Sequence, residues 1–335
     1  MRRDAMSALR CPRCKAEGSF GLAIEAEDER EVREGELTCT TCGEARKIRG
    51  GIVDLMPEGV PAFVRREADG LGRFAEKMRA GGWDRELVLS LPYRQDGYWY
   101  AQATMMHQVL HTVPLRPGDT ILDVGSNTCW AAAMLAERGL RVTALDITTA
   151  QMQGLATADW WYEAKGVHME RVLGVMFDIS LASNSLDWVW CCEVLHHNHR
   201  ANLWATMREL HRVLKPGGSL IVVNETLRTL REPHLHPGAD VSEFEGHEHA
   251  YLRRSYVKAA RDAGLRVDVR GPRLHNVFCE ELFSISPRMH IRDGFRAAAA
   301  HAVRRDPRLR RAYLAWKSYV AGGTSLHMLA TKPEG

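Results

Sequence analysis

The apolar positions of this chain change period near residue 116. From residue 57 up to it, helical stripes dominate; after it, short apolar runs alternate with helical segments. Ile121-Leu122-Asp123-Val124 stops at Gly125, an Ala-rich helical pattern follows, and Val142-Thr143-Ala144-Leu145 ends on Asp146. That pattern predicts a strand, a tight turn, a helix and a second strand in one βαβ unit. A helix is expected over residues 149–166, then a strand Arg171-Val172-Leu173-Gly174-Val175 leading to Asp178. Leu186-Asp187-Trp188-Val189-Trp190-Cys191-Cys192 reads as a buried strand ending in Glu193. A helix over 200–214 halts at Lys215-Pro216-Gly217-Gly218, a fifth strand covers residues 219–225, and a last strand covers 324–331. Strands apolar on both faces, alternating with helices, predict an α/β fold with a doubly wound, mostly parallel sheet.

The turn at Gly125 lies at the carboxyl end of the first strand, where open α/β sheets bind ligands. Asp146, about 20 residues further on, ends the second strand and is suited to accept hydrogen bonds from a ribose diol. The unit is therefore expected to bind a nucleoside-bearing cofactor. It lacks the G-x-G-x-x-G that cradles a pyrophosphate, having G-S-N-T-C-W instead.

The 335 residues allow one large or two modest domains, and 45% apolar with 26% charged content describes a soluble protein. No apolar run reaches membrane-spanning length, and the basic start M-R-R-D-A-M-S has no apolar segment behind it, so a cytoplasmic location is expected. The net charge of +3 is too small to argue for nucleic acid. Four of the eight cysteines, Cys11, Cys14, Cys39 and Cys42, form two C-x-x-C knuckles able to close tetrahedrally on one structural zinc ion. Cys129, Cys191, Cys192 and Cys279 sit in apolar contexts and read as buried thiols. The expected layout is a zinc ribbon over 1–56, a helical linker or lid over 57–115, and a core over 116–335. The ribbon, too small to fold unaided, takes the metal as its own core. Tyr93 and Tyr98-Trp99-Tyr100 are candidates for a lid over the ligand mouth.

The series L-D-V-G-S, L-D, F-D-I-S, L-D-W-V-W-C-C-E-V-L-H-H and E-L-H-R-V-L-K-P-G-G-S-L-I-V-V resembles the class I S-adenosylmethionine-dependent methyltransferases from about residue 98 to 332. The amino-terminal pattern resembles a zinc ribbon found at the front of several of them, and also the small zinc-ribbon subunit that activates others. The resemblance implies a seven-stranded, Rossmann-like sheet and S-adenosylmethionine as cofactor. It implies that Asp123, Gly125, Ser126 and Asn127 lie along the methionine moiety. Asp146 would take the ribose hydroxyls, Ile147 would line the adenine, and Asp178 with Ile179 would meet its amino edge. Glu193 would face cofactor and substrate. The family usually has glycine where Asn127 and Cys129 stand here.

Methyl transfer often needs a base, and the candidates after the fourth strand are Glu193, His196 and His197, imidazole in general being suited to the task by its unperturbed pKa of about 6.5; a helix-capping or core pair is the other reading of the two histidines. A second group, Glu225, His234, His236 and G-H-E-H over 246–249, reads as a substrate mouth rather than a metal site, since no fixed metal spacing is present. Eight arginines within residues 287–311 mark an amphipathic helical insertion, about 286–320. It is a solvated basic face or a docking surface for a protein partner, and it lacks the interleaved aromatics that would stack nucleic-acid bases. The reading is a methyltransferase acting on a small molecule, such as an antibiotic or sugar intermediate. A zinc-ribbon RNA base methyltransferase and a non-methylating S-adenosylmethionine enzyme are the alternatives.

Overall fold

A computed structural model describes residues 1–94, 97–199, 202–231, 249–268, 302, 305–316, 319–320 and 325–334. The amino-terminal strands are β1 (Phe20–Glu27), β2 (Val32–Cys39), β3 (Ala45–Arg49) and β4 (Ile52–Asp54). Three helices follow, α1 (Ala62–Ala80), α2 (Arg85–Leu89) and α3 (Gly97–Thr112), with the break at Gly81-Gly82 where the sequence has it. The core runs β5 (Thr120–Val124), α4 (Trp130–Glu137), β6 (Arg141–Asp146), α5 (Ala158–Lys165), β7 (Met169–Leu173), β8 (Leu186–Cys192), α6 (Asn202–Val213) and β9 (Leu214–Thr226). It ends with α7 (Arg253–Asp262), β10 (Arg266–Asp268), α8 (Pro307–Trp316) and β11 (Ser325–Thr331). No described helix is long and apolar enough to cross a membrane.

The strands join in one sheet, ordered β1-β2-β3-β4-β7-β6-β5-β8-β9-β11-β10. The pairs from β4 through β9 are parallel, and β11 enters antiparallel between β9 and β10. The sheet therefore has 11 strands rather than seven. The difference lies in the ribbon: β4 pairs in parallel with β7, Val53 opposite Val172, and carries the ribbon's antiparallel strands onto the sheet edge. An unpaired parallel edge would expose a row of backbone donors and acceptors, and β4 covers it.

The expectation of separate cores does not hold. Leu37, Ile48 and Val53 from the ribbon strands pack in the same buried cluster as Val124, Val172 and Leu181. Polar contacts seal the joint. Arg171, buried on β7, pairs with Glu31 and lies 3.2 Å from Asp159, which Arg33 also holds at 2.9 Å. Breaking such a buried set by removing one partner strands an uncompensated charge.

Two boundaries differ from the sequence pattern. The helix expected from 149 begins only at Ala158, because residues 148–157 form a compact loop in which Leu155 N donates to Thr148 O at 3.1 Å. β7 ends at Leu173, two residues early: Gly174 N makes a last ladder bond to Asp146 O, and Val175 then bridges antiparallel to Asp178, turning the chain back on itself. His234, His236, Cys279 and the 246–248 part of G-H-E-H lie outside the described residues, as does most of the arginine-rich insertion.

Candidate active site

The carboxyl ends of β5, β6, β7 and β8 open on a cleft of about 440 Å³. One face of α1 supplies its outer wall: Phe63, Val64, Glu67, Leu71, Phe74 and Met78 recur at helical spacing and all line it. Tyr98 and Trp99 of α3 close another side, so part of the expected aromatic lid is at the mouth. Tyr93 stands elsewhere, 57% exposed with its hydroxyl 3.1 Å from His107 Nε2.

The loop after β5 is built for close approach. Gly125 has φ +69°, and a Cβ there would come within 2.4 Å of Val194 Cγ2. Asn127 and Cys129 hold φ +46° and +58°, so the backbone keeps a left-handed course that glycine would adopt without cost. Each non-glycine residue there costs on the order of 1 kcal/mol, the kind of strain that collects at ligand sites. Asn127 N donates to Asp146 Oδ2 at 2.8 Å, and Ser126 Oγ donates to Asp123 Oδ2 at 2.7 Å. Burial pushes both acids up, Asp146 to about 6 and Asp123 to about 7, the latter raised further by the Asp146 charge.

Glu193, the residue after β8, has φ +49° and accepts from Tyr98 Oη at 2.5 Å; burial raises its carboxyl pKa. His197 lines the cleft, its Nδ1 2.5 Å from Glu67 Oε1. Two polar atoms of the lining, Thr128 Oγ1 and Trp190 Nε1, are buried without a hydrogen-bond partner. Among the described lining residues are four carboxylates, Glu67, Asp123, Asp146 and Glu193, one imidazole, and no lysine or arginine.

Residues 122–222 match the family model described as a methyltransferase domain. These residues carry a methyltransferase domain. The domain is similar to the malonyl-[acyl-carrier protein] O-methyltransferase of Gallionella capsiferriformans, 36% identical over 38% of this chain and 45% of that one. It is 30% identical to the 27-O-demethylrifamycin SV methyltransferase of Amycolatopsis mediterranei, over 37% of this chain and 48% of that one. The chain thus spans about half the length of these relatives. Among solved structures, phosphoethanolamine N-methyltransferase 2 of Haemonchus contortus with S-adenosyl-L-methionine aligns over 86% of this chain and 63% of that one. Its identity is 19% and its TM-score 0.47.

Within the methyltransferase domain, the cleft gathers Asp123, Gly125, Ser126, Asn127, Asp146, Ile147, Glu193 and His197. Three expected site residues are not there. Asp178 binds Lys15 Nζ at 2.6 Å and sits 3.7 Å from Arg10, facing the cysteine ribbon, while Ile179 is buried in the core. The early end of β7 explains this: Gly174, Val175, Met176 and Phe177 take the cleft wall, and a bridge between Val175 and Asp178 reverses the chain. His196 is also displaced. It is 5% exposed, and its Nδ1 lies 2.7 Å from Glu225, off the cleft. Glu225 also takes the amides of Val194, Leu195 and His196. Burial alone would push Glu225 up, but His196 and those amides hold it below the ordinary value. The pair fixes the loop that aims Glu193 and His197.

Glu67 escaped the sequence reading. Its only signal was being the one acid on the apolar stripe of α1.

Proposed function

We propose that this chain transfers the methyl group of S-adenosylmethionine to a nucleophile on a small molecule, with His197 as the base and Glu67 as its orienting partner. The observation that carries the reading is the Glu67–His197 pair on the wall of a methyltransferase cleft. A carboxylate on Nδ1 selects the imidazole tautomer whose Nε2 accepts a proton, and stabilises the imidazolium that forms. Glu193 faces the same space. Relatives named for malonyl-[acyl-carrier protein] and a rifamycin support a small-molecule acceptor.

The residues present fit the cofactor. Asp146 is positioned for ribose hydroxyls, Asp123 and Gly125 for the amino-acid arm, and Ile147 for the adenine face. The buried, unpartnered Trp190 Nε1 and Thr128 Oγ1 offer donors to a polar ligand. Bound S-adenosylmethionine supplies a methyl group activated by the sulfonium charge. The ribbon cysteines fit zinc: Cys11 and Cys42 Sγ are 3.7 Å apart, Cys14 and Cys39 3.6 Å, and the four sulfurs lie within 4.8 Å of one another. Four sulfurs at 2.3 Å from one tetrahedral zinc would stand about 3.8 Å apart.

The test is incubation with S-adenosylmethionine and candidate extracts, with mass spectrometry of the nucleoside product. S-adenosylhomocysteine is the expected product. Methylthioadenosine, or failure of the protein to bind S-adenosylmethionine, overturns the reading.

A further inference from the structure

The charge of the cleft is one-sided. Glu67, Asp123, Asp146 and Glu193 line it, and no lysine or arginine of the described residues does. Burying carboxylates without cations is costly, and a low-dielectric cavity lined by one sign of charge concentrates ligands of the other. Three of the four have an occupation. Asp123 in β5 and Asp146 at the end of β6 accept from Ser126 and Asn127 on the loop that would hold the cofactor, and Glu67 is bound to His197. Glu193 is different: its partner is a neutral hydroxyl, Tyr98 Oη, at 2.5 Å. The cleft it faces is rich in aromatic rings, with Tyr98, Trp99, Trp130, Phe63, Phe74 and Phe177 all in the lining, and Tyr98 stands edge-on to Trp99 at 5.1 Å, as Trp99 does to Trp130 at 6.2 Å. Aromatic faces beside a carboxylate attract an alkylammonium group through both ring quadrupole and charge, and they desolvate an apolar body at the same time.

We infer that the acceptor is an apolar basic amine, held as its ammonium on Glu193 between the aromatic walls and methylated on nitrogen. This rests on the methyltransferase reading above. The proton balance suits the residues present. One ammonium proton passes to His197, the freed nitrogen lone pair bonds to the methyl carbon, and the carbon–sulfur electron pair remains on sulfur as the thioether. An acid of similar shape is disfavoured, because its carboxylate would face Glu193 with no lysine or arginine among the described lining residues to offset either charge.

The experiment uses the full chain loaded with S-adenosylhomocysteine and three matched series, hexyl to decyl: amines, alcohols and carboxylates. Calorimetry gives affinities, and the fluorescence of Trp83, Trp99, Trp130 and Trp190 reports entry into the cleft. Amines are expected to bind about tenfold or more tighter than the alcohols, with carboxylates undetected. Glu193→Gln should erase the amine preference and leave alcohol affinities within about threefold. Alcohols or carboxylates binding as well as the amines, no amine binding at any length, or a preference that survives Glu193→Gln overturns the inference. The loading step separates the two readings: if S-adenosylhomocysteine fails to bind, the methyltransferase reading falls, and if it binds while amines do not, only the acceptor assignment falls.

Discussion

Glu67 and His197 stand 130 residues apart in the chain and 2.5 Å apart in the fold, carboxylate Oε1 to imidazole Nδ1. The contact joins the helix that walls the cleft to the loop after β8. Glu67→Gln removes the charge that stabilises the imidazolium and permits the wrong tautomer. Its kcat is expected to fall about tenfold or more, with cofactor affinity within twofold of the parent. An unchanged kcat would mean that Glu67 only packs the helix.

The adjacent histidines should separate cleanly. His197→Asn is expected to lower kcat about a hundredfold with little change in stability. His196→Asn leaves Glu225 buried without its imidazole partner. That should cost about 3–5 kcal/mol of stability, seen as a lowered Tm. The reverse pattern would exchange the two roles.

Asp146 and Asp178 both stand after apolar runs of the sequence, but only Asp146 reaches the cleft. Asp146→Ala is expected to weaken S-adenosylmethionine binding about ten- to a hundredfold, because two ribose hydroxyls lose a charged acceptor. Asp178→Ala removes the contact to Lys15 and Arg10 instead, so affinity should change less than threefold. Titration calorimetry on both variants decides the matter.

Cofactor affinity should depend on pH through the Asp123–Asp146 pair. Unfolded aspartate titrates near 3.9. Folded, these two titrate near 7 and 6, so above about pH 4 the folded protein keeps protons that the unfolded chain has released. Their contribution to the stability of the unliganded protein is therefore full below about pH 4 and is lost as pH rises through 6 to 7. A cofactor carrying positive charge prefers the ionised pair, so its Kd should tighten about tenfold or more between pH 5 and pH 8. A flat profile by calorimetry over that range would exclude the pair from the cofactor site.

Elemental analysis of protein purified without chelators should find one zinc per chain. Because ribbon strands and sheet share a core, Cys39→Ala should lower the Tm of the whole molecule in one transition rather than melt the ribbon alone. Two separate transitions would mean that the joint at β4 and β7 is weak.

Local signals in the sequence determined much of this protein. Apolar runs ending on Gly125, Asp146 and Glu193 marked the strand ends, since a parallel strand buried on both faces must be apolar and stop where the sheet meets ligand or solvent. Knuckle spacing brought the four cysteines together, because a C-x-x-C turn fixes its own two sulfurs. Only tertiary structure decided the rest. Whether Asp178 met the cofactor or Lys15 depended on where β7 ended, and a two-residue shift sent the acid to the other side of the wall. Which of two consecutive histidines entered the cleft was fixed by Glu225, a buried acceptor 29 residues away from His196. The eleven-stranded sheet and Glu67 were invisible for the same reason. Edge pairing and a contact across 130 residues depend on how elements dock, and no local pattern of side chains encodes that.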